Sequence, residues 1–314
     1  MHQTTNHQDK AIMTFSVFAD LHNHTLASDG DFSPRQLVQK ARINNISAIA
    51  ITDHDTLKGL AQGLAAGKEQ GVQVIPGVEV SVRFNRSLFT GTLHLLCYFL
   101  PDRLSDQAFV EDFEALLSDG RGEALVKARI ARINKVFGPD GTTPLLKRAL
   151  VFADIAAYST NASRRHFALA LSHRLGIEDK KTINQIIGNA SPAYLPSGIA
   201  LDAVADFIKK QDLLAVLAHP AAGSFPGQGH YKEVLPPVDT VEKMLPEFLA
   251  AGIRGIEVFY PGHTKEQRAI LLSWAKTHQL LVTGGSDCHD DTERPPAVAG
   301  ISQADFKRFY AGLS

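Results

Sequence analysis

Val17-Phe18-Ala19-Asp20-Leu21-His22-Asn23-His24-Thr25-Leu26-Ala27-Ser28-Asp29-Gly30 is the stretch on which the reading of this chain turns. A short apolar run, Val17–Leu21, stops on two histidines and then on Ser28-Asp29-Gly30. In an extended segment residues two apart point to the same side, so His22 and His24 can face one ion together. The layout recurs along the chain. Ile46–Ile51 ends in Thr52-Asp53-His54-Asp55, and Val72–Ile75 runs through Pro76-Gly77 to Glu79. His94 lies in the run Leu93–Phe99. Leu213–Ala218 ends in His219-Pro220, and Leu280–Thr283 ends in Gly284-Gly285-Ser286-Asp287-Cys288-His289.

Helical stretches separate these runs. Ser33-Pro34 is an N-cap followed by a proline at the first helical position, and predicts a helix to about Asn44. Thr56–Gln70, stopped by Gly71, and Thr264–His278 follow the same logic. Continuous apolar runs alternating with helices point to an α/β fold with strands covered on both faces. In a parallel α/β barrel every strand C-terminus opens on one face, which would bring His, Asp and Glu from six strands to one rim. From about Leu104 to Gly198 the periods turn helical, which reads as a helical subdomain inserted into the barrel.

Composition narrows the function classes. The chain has 314 residues, 44% hydrophobic and 21% charged, with a net charge of −1 from 32 Lys+Arg and 33 Asp+Glu. No overall basic field exists to hold a long nucleic-acid duplex. No apolar run approaches the roughly 20 residues of a membrane span. Residues 1–16 are polar, lack a signal-peptide layout and read as a disordered leader, so the cytoplasm is the expected location. Cys97 and Cys288 are too few for a disulfide scaffold or a four-cysteine metal site. The 13 histidines stand out instead. Imidazole and carboxylate donors suit zinc, manganese or iron, and this many donors predicts more than one ion. Adjacent divalent ions activate a water and neutralise the oxygens of an in-line displacement at phosphorus.

Asp20-Leu21-His22-Asn23-His24-Thr25, Ser28-Asp29-Gly30, Thr52-Asp53-His54-Asp55, Pro76-Gly77-Val78-Glu79, Ala218-His219-Pro220 and Gly285-Ser286-Asp287-Cys288-His289 together resemble the PHP (polymerase and histidinol phosphatase) family. Within it they are most similar to the stand-alone nucleotide and oligonucleotide phosphoesterases. The resemblance spans about Phe18 to Ala299. It implies a distorted seven-stranded (β/α) barrel over 17–103 and 199–314 with a helical insertion over 104–198. It also implies two or three divalent ions: manganese first, zinc or iron as alternatives. By motif, His22, His24, Glu79 and Asp287 would hold one ion. Glu79 would bridge to a second on His94 and His219, and Asp29, His54 and His289 would form a third position.

Arg164-Arg165-His166-Phe167-Ala168 resembles the subgroup's Arg-x-His-apolar-Ala segment. Arg164 would clamp a phosphate, since a guanidinium matches phosphate oxygens in pairs, and His166 would join it in binding substrate. Arg165 stands where the subgroup often has proline. Tyr194 could stack on a base or simply pack. In Glu257-Val258-Phe259-Tyr260-Pro261-Gly262-His263, His263 is a candidate phosphate contact or proton donor. Glu257 could orient a ligand or only accept a structural hydrogen bond, and Tyr260 reads as an aromatic lid. Asp20 is expected to orient a ligand imidazole. Asp53 and Asp55 divide between that role and a helix cap or solvated acid.

The expected function is metal-dependent hydrolysis of phosphate esters by a metal-bridging hydroxide, with Glu79, Asp287 and His263 in catalytic roles. The resemblance implies a small phosphorylated substrate: a 3′,5′-bisphosphonucleotide or the 5′ end of a short oligonucleotide. The rivals are a histidinol-phosphate-type or cyclic-phosphate phosphoesterase and a non-catalytic metal-binding regulatory module. The filled ligand positions speak against the module.

Overall fold

Successive apolar residues along the strands go to different places. Strand β2 (Ala48–Ile51) places Ala48 and Ala50 in one apolar cluster with Leu21, Ile75, Leu96, Tyr98, Leu214 and Val216. Ile49 and Ile51 join another with Leu37 and Val38 of helix α1 (Pro34–Ile43). The first cluster fills the barrel and the second lies beneath the helices, the period-two pattern of a sheet covered on both faces. This computed structural model describes residues 17–120, 122–159, 162–224 and 234–313. The expected leader over 1–16 lies outside them.

The remaining strands are β1 (Ala19–Asp20), β3 (Gln73–Asn85), β4 (Thr90–Tyr98), β5 (Ile199–Ala200), β6 (Leu214–Leu217), β7 (Gly255–Phe259) and β8 (Leu281–Gly284). Seven of the strands pair in the order β1-β2-β3-β4-β6-β7-β8, and β5 adds to β3. The two ends of this path meet beyond β8. Leu21 donates its N–H to Gly284 O at 3.1 Å, and His24 donates to Cys288 O at 2.9 Å. The helix Gln303–Ala311 closes the barrel floor, with Phe309 edge-on to Tyr98. The distorted seven-stranded barrel implied by the resemblance is the fold observed.

Three expectations change. The run at Val72–Ile75 does not stop at Pro76-Gly77 but continues to Asn85 in one strand of 13 residues. Its outer half turns back through a tight hairpin at Arg86–Phe89, so β4 runs antiparallel to both its neighbours. Glu79 and His94 therefore stand within strands, not at strand ends. Helix α2 (Leu60–Gln70) begins four residues later than the expected Thr56. Asp55 is left-handed (φ +49°), and the Thr56 hydroxyl accepts from Lys58 N, a local turn that competes with helix.

The middle of the chain holds helices α3 (Gln107–Ser118), α4 (Glu123–Phe137), α5 (Phe152–Ala156), α6 (Arg164–His173) and α7 (Lys180–Ile187). Phe109, Phe113 and Leu117 of α3 pack into the cluster under the barrel helices. Val126 to Ala193 supply a separate apolar cluster of their own.

Asp20 ties the barrel rim together. Its buried carboxylate accepts from Ser286 N (2.9 Å), Ser286 Oγ (2.7 Å), Ala297 N (2.9 Å) and Asn23 Nδ2 (3.0 Å). It meets His22 only through that residue's backbone N–H, so the expected contact with an imidazole is not made. Asp20→Ala would leave several buried donors unsatisfied. It should cost about 3 kcal/mol or more in urea denaturation of the metal-free chain, with Asp20→Asn losing less.

Candidate metal centre

Glu79 sits at the middle of the rim, 1% exposed. Its two oxygens face different imidazoles. Oε1 lies 2.9 Å from His94 Nδ1 and 3.1 Å from His219 Nε2. Oε2 lies 3.2 Å from His22 Nε2, 3.0 Å from His24 Nε2 and 3.2 Å from His54 Nδ1. The reach of β3 explains this placement. A parallel bridge joins His54 to Glu79, and the hairpin register sets His94 opposite Ser81, two residues beyond Glu79 and on the same face.

The donors fall into three overlapping sets, within each of which the ligand atoms lie no more than 4.8 Å apart. The sets are His22, His24, Glu79 and Asp287; His54, Glu79 and His94; and His24, Asp29, His54 and His289. These sets hold eight of the nine sequence candidates, His219 joins them through Glu79 Oε1, and His54 lies closer to Glu79 than the motif suggested. Two buried oxygens, Glu79 Oε2 and Asp29 Oδ1, accept no hydrogen bond, although imidazole nitrogens surround both. Close approach without hydrogen-bond geometry is what donors turned toward a shared cation produce. A set of imidazoles and carboxylates without thiolates fits a divalent ion.

Neighbouring groups fix the ligand atoms. His22 Nδ1–H donates to Glu257 Oε1 at 3.1 Å, which leaves Nε2 for the cage. Glu257 Oε2 accepts from His219 N at 2.8 Å, so one carboxylate sets two ligand positions. His289 Nδ1–H donates to Asp287 O at 2.8 Å, leaving Nε2 3.3 Å from Asp29. Asp287 turns Oδ1 to the cage. Its Oδ2 accepts from Tyr260 Oη at 2.9 Å and from Arg294 Nη1 at 3.3 Å. Asp53 accepts from Thr25 N, Thr25 Oγ1 and Ser28 Oγ at 2.6–2.7 Å and so holds the loop between His24 and Asp29. Asp55 accepts from Ser81 N at 2.7 Å. Gly285 lies against His22, where a Cβ would fall 2.3 Å from the His22 nitrogen. Arg294 was invisible to the sequence reading, and Tyr260 is a buried hydrogen-bond donor rather than a lid.

Burial and neighbouring charge set opposite shifts. Burial alone would lower His24, but Asp287 and Glu79 outweigh it and raise the group to about 9. His22 is also raised against burial, by Glu257, Glu79 and Asp287. Burial would raise Glu79, yet the imidazoles around it hold it well below the usual carboxylate range. His289 is pushed down to about 4 by burial and by Arg294.

The substrate candidates lie outside the cage. Arg164 Nη2 donates to Asn189 Oδ1 at 2.7 Å, and its guanidinium stands 5.4 Å from the Tyr194 ring. Both line a cavity of about 20 Å³ with Arg129, room for about one water. His166 Nδ1 accepts from Ser163 N at 2.9 Å, a helix-capping contact. His263 is buried. Its Nδ1–H donates to Val258 O at 3.0 Å, and its Nε2 accepts from Ala221 N at 3.3 Å. Burial lowers it to about 4. In this structure both ring nitrogens of His263 bond backbone, and the ring packs against Tyr260.

Residues 20–99 match the PHP domain. Three curated relatives extend the likeness beyond it. A 5′-3′ exoribonuclease of Haemophilus influenzae is 28% identical, covering 86% of this chain and 89% of that one. A 3′,5′-nucleoside bisphosphate phosphatase of Chromobacterium violaceum is 27% identical, with 86% of each covered. A phosphoribosyl 1,2-cyclic phosphate 1,2-diphosphodiesterase of Eggerthella lenta is 29% identical, covering 90% of this chain and 98% of that one. Among solved structures, a Bifidobacterium adolescentis protein assigned as a metal-dependent phosphoesterase superposes with a TM-score of 0.73. It is 25% identical over 94% of this chain and 96% of that one. The sequence reading of a PHP-type metal-dependent phosphoesterase is borne out.

Metal binding should release protons. Below about pH 9 the metal-free cage holds a proton on His24 that an ion must displace. Apparent affinity should therefore rise with pH from about 6 to about 8, roughly tenfold per unit for each proton released. Calorimetry in buffers of different ionisation enthalpy measures that release. A pH-independent affinity with no proton released would contradict it.

Proposed function

We propose that this protein hydrolyses phosphate esters of nucleotides, as a 3′,5′-bisphosphonucleotide phosphatase or a 5′ exonuclease of short oligonucleotides. The supporting observation is one buried carboxylate, Glu79, with five imidazole nitrogens at 2.9–3.2 Å, on a PHP domain. His22, His24, Asp29, His54, Glu79, His94, His219, Asp287 and His289 would hold two or three divalent ions. Manganese first, with zinc or iron as alternatives, is what the likeness to the PHP family implies, and a mixed set of imidazoles and carboxylates suits all three. When bound, such ions would activate a water and neutralise phosphate oxygens.

The chain's own groups do the rest. Glu79 offers its two oxygens to two different sets of imidazoles and so sets the spacing between adjacent ions. Glu257 and Tyr260 orient His22 and Asp287. Arg164, with His166 beside it on the helical layer, takes a second phosphate of the substrate. A cavity of about 20 Å³ around Arg164 admits a phosphate only after neighbouring side chains move. His263 is kept as the candidate phosphate contact or proton donor; its ring packs against Tyr260, whose hydroxyl donates to Asp287. The helices over 104–198 form the substrate-holding insertion; the separate apolar cluster of α4 to α7 supports this, while α3 packs with the barrel helices.

Two named relatives act on nucleotide or RNA substrates, which supports the nucleotide class. The net charge of −1 supports a few-nucleotide substrate over a long duplex. A cyclic phosphodiester is the second reading, supported by the relative whose length is 98% covered. Among the described residues no helix is long and apolar enough to cross a membrane. Two free, buried thiols support a cytoplasmic setting.

A manganese-supplemented phosphate-release screen over mononucleotides, bisphosphonucleotides, short oligonucleotides, cyclic phosphates and histidinol phosphate tests the proposal. Turnover should be highest on bisphosphonucleotides or oligonucleotides, and release from none of these substrates would contradict the proposal. Glu79→Gln should abolish turnover and loosen two ions, read by elemental analysis. Arg164→Ala should cut kcat/KM about tenfold or more on substrates with two phosphates while leaving metal content unchanged.

A further inference from the structure

The first turn of helix α6 sends two adjacent guanidinium groups to different places. Arg164 turns to Asn189 and Tyr194, within the helical layer. Arg165 turns to the barrel rim. Its Nη1 donates to Asp29 O at 3.1 Å. Its Nη2 donates to Asp31 Oδ1 at 3.3 Å and stands 3.7 Å from Asp290 Oδ2. The loop 29–31 and the segment 289–290 lie side by side, since Asp31 N donates to His289 O at 2.7 Å. Arg165 spans both. Asp290 is a fixed anchor for it, because Asp290 Oδ1 accepts the backbone N–H groups of Thr292, Glu293 and Arg294.

These two segments each carry one donor of the same set. Asp29 supplies the buried Oδ1 that accepts no hydrogen bond, and His289 places Nε2 3.3 Å from it. Among the described residues, Arg165 makes no hydrogen bond or ion pair with Glu79 or with the donors of the other two sets. We infer that Arg165 is a positioning residue for the outer cation position alone. It holds Asp29 and His289 at ligating distance and makes filling of that position depend on the helical layer being seated on the rim. The inference rests on reading His24, Asp29, His54 and His289 as a cation site. A planar guanidinium can bond a carbonyl and a carboxylate at once in fixed geometry, which an ammonium cannot reproduce.

The test titrates the metal-free full chain with Mn²⁺, by calorimetry and by electron paramagnetic resonance of free and bound ion. Arg165→Gln should weaken one ion about tenfold or more, the range expected for groups that orient ligands, and leave the others within about twofold. Asp29→Asn should weaken the same ion, and adding Arg165→Gln to it should cost little more. Arg165→Lys keeps the charge and should recover only part of the affinity. It carries the test if Arg165→Gln does not fold. Affinities unchanged in the Arg165 variants, or all falling together, overturn the inference alone. A parent chain that takes up no Mn²⁺ overturns the metal-centre reading and this inference with it.

Discussion

Everything at the rim is organised around a carboxylate that water cannot reach. Burying Glu79 without partners would cost several kcal/mol, and the chain answers with five imidazoles rather than with lysine or arginine. Imidazoles can neutralise the carboxylate as protonated cations or, when neutral, share it with a divalent ion through their lone pairs. The raised His22 and His24 and the lowered Glu79 are the protonated solution. With those protons displaced, the same donors would be free to hold divalent ions. The surrounding bonds suit both states, because they hold the far sides of the ligands. Glu257 takes His22 Nδ1–H, Asp287 O takes His289 Nδ1–H, and Tyr260 takes the outer oxygen of Asp287.

The fold is shaped to bring these donors to one point. A strand of 13 residues carries Glu79 inside the barrel wall, and the reversed β4 returns His94 beside it. An all-parallel barrel would have left both at loop ends. Two of the candidate donors, His219 (φ +28°) and Asp287 (φ +49°), have left-handed backbones that residues other than glycine rarely adopt. Such strain persists where surrounding structure over-determines it. Here the determinants are the Glu257 contact to His219 N and the pair of donors on Asp287 Oδ2.

Much of this was legible in the chain because metal ligands of this kind announce themselves locally. An apolar run that stops on His-x-His, or on Ser-Asp-Cys-His, says both where a strand ends and what chemistry stands there. The barrel and most of the candidate donors could be read that way, whereas Glu79 and His94 lie within strands and their pairing came from the family resemblance. The reversal of β4 could not, because a hairpin between two apolar runs and a parallel crossover share the same local pattern. The partners of the ligands were hidden for a related reason. Asp20 sits two residues from His22, which suggested that it would orient that ring. The ring is held instead by Glu257, 235 residues away, while Asp20 fastens the loop around Ser286 and Ala297. Arg294 lies in a polar loop with no periodicity, and only the folded chain shows its guanidinium on Asp287.

The claim beneath all of this is that Glu79 is shared between two adjacent cation positions. Anomalous difference maps from crystals grown with Mn²⁺, collected on either side of the manganese edge, test it most directly. Two peaks about 3.5–4 Å apart with the Glu79 carboxylate between them are predicted. A single peak remote from Glu79, or a rim without anomalous density and with the imidazoles turned away from one another, would contradict it.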